Sequence, residues 1–122
     1  MDRIQRPLTL IACILLASCD LVETTPCTTE LRFGLNVTVV SAADGTPVIE
    51  GLEVTARDEP YFEVLVGVDN QRQGAPERAG IYTLNVSAPG FVGRTVNGVE
   101  VRRGQCHVTP AVVTVELAPV VA

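Results

Sequence analysis

Four cysteines and one histidine are the most reactive side chains of this chain: Cys13, Cys19, Cys27, Cys106 and His107. Thiolates and an imidazole can ligate zinc, an imidazole can activate a hydroxyl or thiol nucleophile, and thiols can pair with one another. An even number of cysteines admits two disulfides. Cys19, however, stands at the end of an apolar run and directly before an acid, in Leu15-Leu16-Ala17-Ser18-Cys19-Asp20. Either it is half of a disulfide, or it belongs to a different chemistry and leaves the others to pair among themselves.

The surroundings of Cys19 bear on that choice. Arg3 and Arg6 precede Leu8 to Ala17, which run apolar with only Thr9 interrupting, and small Ser18 and Cys19 follow. That is a charged n-region, a short h-region and a small-residue cleavage zone. A bilayer-spanning helix needs roughly 20 apolar residues, about twice what this stretch holds. Leu16-Ala17-Ser18-Cys19 resembles the bacterial lipobox, in which a lipid transferase forms a thioether on the cysteine and a peptidase cuts just before it. An ordinary secretory signal with an incidental Cys19 is the alternative. If the lipobox reading holds, Cys13 leaves with residues 1–18, the Cys19 sulfur is alkylated, and Cys27 and Cys106 remain as thiols. In an oxidising periplasm two thiols make one disulfide, Cys27 with Cys106; two independent buried thiols are the competing reading.

Cutting before Cys19 leaves residues 19–122, enough for one domain with a core but not for a catalytic domain and a second beside it. The whole chain carries a formal charge of −5, and losing Asp2, Arg3 and Arg6 makes it −6. A surface of that sign disfavours nucleic acid and anionic headgroups as partners. There are 20 valines, no tryptophan and no lysine. β-branched side chains fit a pleated, half-buried surface better than a helix, so the chain reads as strand and turn.

Leu31 to Val39 alternates apolar and polar with period two, as does Leu52, Val54, Ala56 against Glu53, Thr55, Arg57. Tyr61 to Val68 is apolar enough on both faces to sit centrally in a sheet. Asp69 to Gly80 is polar and aperiodic, and reads as a loop with room for a short edge strand. Ile81 to Ser87 places Tyr82, Leu84 and Val86 on one face before a Pro89-Gly90 turn. Phe91 to Val101 reads as two short strands or one bent at Gly93 and Gly98. Arg102 to Gln105 turns, Cys106-His107-Val108 restarts an extended run, and Val113, Val115 and Leu117 close the domain. Short strands at roughly ten-residue spacing mean an all-β sandwich or barrel.

Residues 44–54 (DGTPVIEGLEV), 79–91 (AGIYTLNVSAPGF), 99–108 (VEVRRGQCHV) and 113–117 (VTVEL) together resemble the carboxypeptidase regulatory-like domain of the transthyretin (prealbumin-like) type. Gly80 through Phe91 is the most specific element, and the resemblance spans about Cys27 to Pro119. It implies a seven-stranded Greek-key β-sandwich in which the Cys27–Cys106 pair ties the segment before the first strand to the segment before the last. The resulting organisation is a lipoprotein signal peptide at 1–18, a lipidated N-terminus and linker at 19–30, the sandwich at 31–119 and a tail at 120–122. Tyr82 is expected in the core with its hydroxyl at a hydrogen-bond partner.

Reactive chemistry is sparse. One imidazole and scattered carboxylates do not make a zinc set once the cysteines are committed elsewhere, so no metal and no cofactor are expected. The hydrolase of the same fold relies on several histidines and a C-terminal Tyr-Arg-Gly-Ser, whereas this chain ends Glu116-Leu-Ala-Pro-Val-Val-Ala122. No motif surrounds His107 to make it a nucleophile's base, and it reads as a strand residue on the wet face beside the disulfide. Asp58, Glu59, Glu63 and Asp69 show no calcium-loop spacing and read as a solvated turn. Asn36-Val-Thr38 and Asn85-Val-Ser87 match the glycosylation triplet but fall within strands.

The expected function is therefore non-catalytic: a lipid-anchored domain of the bacterial envelope, on the periplasmic side of the inner or outer membrane, acting as a structural or protein-interaction module. Its candidate interaction loop is Asp69, Asn70, Gln71, Arg72, Gln73, Glu77 and Arg78. Expected partners are the membrane, through acyl groups on Cys19, and an envelope protein. The alternative is a small-ligand module for a glycan or peptide, with Tyr61 as an aromatic contact; a hydrolase comes last. Eight Cα steps from Cys19 to Cys27 reach at most about 29 Å, so the end carrying Cys27 would face the bilayer.

Overall fold

The computed structural model describes residues 27–121, so the expected signal peptide, Cys13 and the expected lipidation site Cys19 lie outside the described residues. Eight strands follow in order: β1 (Phe33–Ser41), β2 (Glu53–Asp58), β3 (Tyr61–Val64), β4 (Gln71–Pro76), β5 (Gly80–Ser87), β6 (Arg94–Arg103), β7 (Val108–Thr109) and β8 (Ala111–Leu117). They form a three-stranded sheet, β4-β1-β8, and a five-stranded sheet, β3-β2-β5-β6-β7, with no helix among the described residues. The expected all-β architecture is present as two sheets sharing one core. β1 pairs antiparallel with β4 and parallel with β8, from Leu35 opposite Ala111 to Ser41 opposite Leu117.

Period-two alternation builds the core. Leu35, Val37 and Val39 of β1 and Val115 and Leu117 of β8 are buried from one sheet. Val54 and Ala56 of β2, Tyr82, Leu84 and Val86 of β5, and Val99 and Val101 of β6 meet them from the other. Each fully buried valine or leucine stabilises the fold by about 1.5–3 kcal/mol relative to leaving it in water. β6 is one strand with a bulge: Leu84 pairs with Val96 and Tyr82 with Val99, leaving Asn97 and Gly98 opposite Thr83 alone. Gly98 takes the left-handed backbone this needs, at φ 70°.

Two expectations are corrected. The first strand begins at Phe33, and Leu31 is exposed. The apolar run 61–68 is not a central strand. Its strand is only Tyr61–Val64, at the edge of the five-stranded sheet, and Phe62, Val64, Val66 and Val68 are exposed. The chain leaves β2 there: Leu65 N–H still donates to Val54 O, while Val66 exchanges hydrogen bonds with Gln73 of the other sheet. The run thus joins the sheets at one side, which needs backbone partners on both rather than burial on both faces. The polar stretch 69–80, read as a loop with room for a short edge strand, holds the six-residue edge strand β4. Gln71 and Gln73 face outward and small Gly74 and Ala75 face inward, so the strand carries no apolar alternation to read.

The crossing on the other side is at Pro110. β7 pairs with β6 in the five-stranded sheet, and β8, one residue later, pairs with β1 in the three-stranded sheet.

Candidate functional site

Phe33, where β1 starts, Pro76, where β4 ends, and the bend before β7 bring the sole histidine and the described cysteines to one end of the domain. Cys27 and Cys106 are joined as a disulfide with Cα atoms 5.1 Å apart. Next to it, His107 Nδ1 lies 2.6 Å from Glu77 Oε2, and His107 Nε2 lies 2.8 Å from Thr28 Oγ1. A carboxylate only accepts, so a neutral ring carries its proton on Nδ1 and accepts the Thr28 hydroxyl at Nε2. Glu77 also accepts from the backbone N–H of Arg32 and of Val108, at 2.9 and 3.1 Å. The hydrogen bond from His107, helped by these backbone donors, holds the Glu77 carboxyl below its ordinary range.

This corrects the placement of His107: it lies in a bend before β7, not in a strand, and its side chain is only 11% exposed. Hydroxyl, imidazole and carboxylate stand in the order of an activated nucleophile. Acyl transfer would further need donors aimed at a developing oxyanion. The backbone N–H groups of Arg32 and Val108 are instead spent on Glu77 itself. What the arrangement does is fasten residues 27–32 to the domain at three points: the disulfide, Thr28 to His107, and Arg32 to Glu77.

A second cluster stands behind it. Tyr82, with its ring in the core, donates its hydroxyl to Arg78 O at 2.8 Å and accepts from Arg78 Nη1 at 2.9 Å. Arg78 also pairs with Asp58 Oδ2 at 3.0 Å and lies 3.9 Å over the Tyr61 ring. Burial, with a hydrogen bond to Glu63, pushes the Tyr61 phenol up to about 12. Glu63 in turn accepts from Ala75 N–H at 2.8 Å. The group locks the end of β4, where Ala75 takes positive φ, and the β4–β5 connection, where Glu77 does. Tyr61 packs edge-on against Tyr82 and under Arg78, so little of its ring is left as a platform for a sugar.

The seven interaction-loop residues do not form one surface. Asn70 Nδ2 donates to Val39 O, closing the end of β1, and Asp69 sits at φ 56° in the turn before β4. Arg72 spends its guanidinium on the carbonyls of Asp69, Gln71 and Leu52. Glu77 and Arg78 belong to the two clusters just described. Gln71 and Gln73 alone face outward together, where register puts Gln73 beside Asn36 and Gln71 beside Thr38. With Arg72 and Val112 these line a shallow concavity of about 210 Å3 on the outer face of the three-stranded sheet.

Of the four acids considered for calcium, Asp58 and Glu59 pair with arginines, Glu63 with Tyr61, and Asp69 stands apart in the turn before β4. No group of three or more metal-ligating side chains occurs among the described residues. Sequence reasoning missed Thr28 and the Glu77–His107 contact; nothing in the spacing of residues 28, 77 and 107 points to it, because three separate segments meet there. The fixed N–H donors around Glu77 are equally a product of the tertiary fold.

No protein-family model matches the chain, and no curated protein matches it either.

Proposed function

We propose that this protein is a non-catalytic lipoprotein of the bacterial cell envelope: a transthyretin-type, carboxypeptidase regulatory-like domain anchored through acyl groups on Cys19 and presenting itself to an envelope protein. The observation that carries the reading is the triple fastening of residues 27–32. Seven residues separate Cys19 from Cys27. A chain anchored at Cys19 would therefore meet the domain at a braced point, which is what a tethered module needs to keep a fixed end toward the bilayer. β7 and β8, taken as one strand broken at Pro110, make seven and suit the Greek-key sandwich of that family.

The sandwich itself supplies rigidity, not chemistry. His107 and Glu77 serve as a brace, Arg78 and Tyr82 as a corner lock, and the acidic surface disfavours nucleic acid as a partner. Several acyl chains at about 0.8 kcal/mol per buried methylene would make the attachment stable. The test is fractionation of cells carrying the parent or Cys19→Ser, with metabolic labelling by a fatty acid. Label on the parent, and its loss together with the membrane fraction in Cys19→Ser, is the expected result. Equal recovery of both in the membrane, or no label on the parent, would sink the anchor. Crosslinking in cells from positions on β4 would then identify the protein partner and the membrane.

A further inference from the structure

The concavity on the outer face of the three-stranded sheet has a chemistry of its own. Cross-strand register sets Gln73, Asn36 and Val112 in one row and Gln71, Thr38 and Thr114 in the next. Gln73 Nε2 donates to Asn36 Oδ1 at 2.9 Å, and Asn36 Nδ2 donates to Phe33 O at 3.1 Å. Those two bonds hold the Asn36 amide in one orientation, and register puts the side chains of Gln71, Thr38 and Thr114 on the same outer face of the sheet. Arg72 is the one charged side chain of the lining, and its guanidinium is turned onto three backbone carbonyls. Val112, 79% exposed, adds a small apolar edge.

We infer that this face is a binding site for a neutral saccharide, one pyranose unit in contact with Asn36, Gln71 and Gln73. An anion would need a cation on this face, whereas Arg72 stands opposite core residue Val37 and carries its guanidinium to the other side of β4, toward the Leu52 carbonyl. A planar heteroaromatic would need a ring to stack on, and the lining has none. A sugar ring offers alternating donors and acceptors to amides and hydroxyls and a C–H face to the Val112 methyls. The concavity is smaller than the roughly 300 Å3 at which drug-sized sites begin, which fits one ring rather than a long chain. The site stands on the β4-β1-β8 face alone and does not depend on the anchor.

The test is 15N-labelled full chain, solubilised in a phosphocholine detergent, titrated with methyl β-glucoside or N-acetylglucosamine, with glucuronate and glucosamine as charged controls. The side-chain amide signals of Asn36, Gln71 and Gln73 should move with the neutral sugars and not with the charged ones. Gln73→Ala and Val112→Asp change exposed positions, and each should weaken the response about tenfold or more while the rest of the spectrum stays folded. Absence of any shift, shifts spread over the surface, an equal response to glucuronate, or an undiminished response in both variants would each overturn the site.

Discussion

Breaking the Cys27–Cys106 bond is the perturbation whose size follows most directly from the structure. The two residues are 79 positions apart, so the bond encloses nearly the whole domain and restrains the unfolded chain as one large loop. Loop-closure entropy for that length gives about 4.5 kcal/mol at 25 °C, an upper figure because real denatured chains are already compact. Replacing both cysteines by serine should therefore cost about 2–4 kcal/mol. For a domain of this size each kcal/mol moves the midpoint by about 4–8 °C, so the melting temperature should fall by roughly 10–30 °C. Urea unfolding followed by far-ultraviolet circular dichroism suits a protein without tryptophan. The parent under oxidising and reducing conditions supplies the same comparison without mutation. The released denatured state should also expose more surface, so the urea m-value should rise. A loss under about 1 kcal/mol, or one urea midpoint for oxidised and reduced parent, would refute the reasoning that the bond acts on the unfolded chain.

Three further outcomes are expected. Tyr82→Phe leaves the part-buried Arg78 carbonyl without its hydroxyl donor and should cost about 0.5–1.5 kcal/mol in urea unfolding; a change within experimental error would show that the corner lock adds nothing. Because Glu77 is held below its ordinary value of 4.5, its contribution is fully present above that pH and fades as pH falls below it. Melting temperature from pH 7 to 3 should accordingly drop more steeply for the parent than for Glu77→Gln, and parallel curves would contradict the assignment. Gly98→Ala meets no atom within 4 Å but places a Cβ at φ 70°, so it should cost about 1–2 kcal/mol from backbone strain alone. A neutral Gly98→Ala would mean that the bulge relaxes.

Legibility in the sequence tracked how burial is distributed. β1, β2 and β5 are buried on one face only, so Leu35, Val54 and Leu84 could be read from alternation, and each is inside. Tyr82 was assigned to the core on the same ground, and its ring is fully buried with the hydroxyl satisfied. β4 was legible only as room for a short edge strand within 69–80, because such a strand can be held by backbone pairing while its outward glutamines and inward glycine and alanine resemble a loop. The run 61–68 misled in the opposite sense. Its valines and Phe62 suit a pleated backbone, yet the chain passes from one sheet to the other there and leaves those side chains in solvent.

By itself the sequence determined the all-β class, the three alternating strands that make the largest part of both inner faces, the turn at Pro89-Gly90, and the acidic, histidine-poor character that narrows the function. Those are properties of local period and composition, which neighbouring residues carry between them. The tertiary structure alone decided that His107, Glu77 and Thr28 meet, that Arg78 caps Tyr82 and Tyr61, and that the residues once grouped as a single loop serve three different places. Contacts between positions 30 and 79 residues apart leave no trace in spacing, because their distance is set by the order in which strands pair and by where the chain changes sheets.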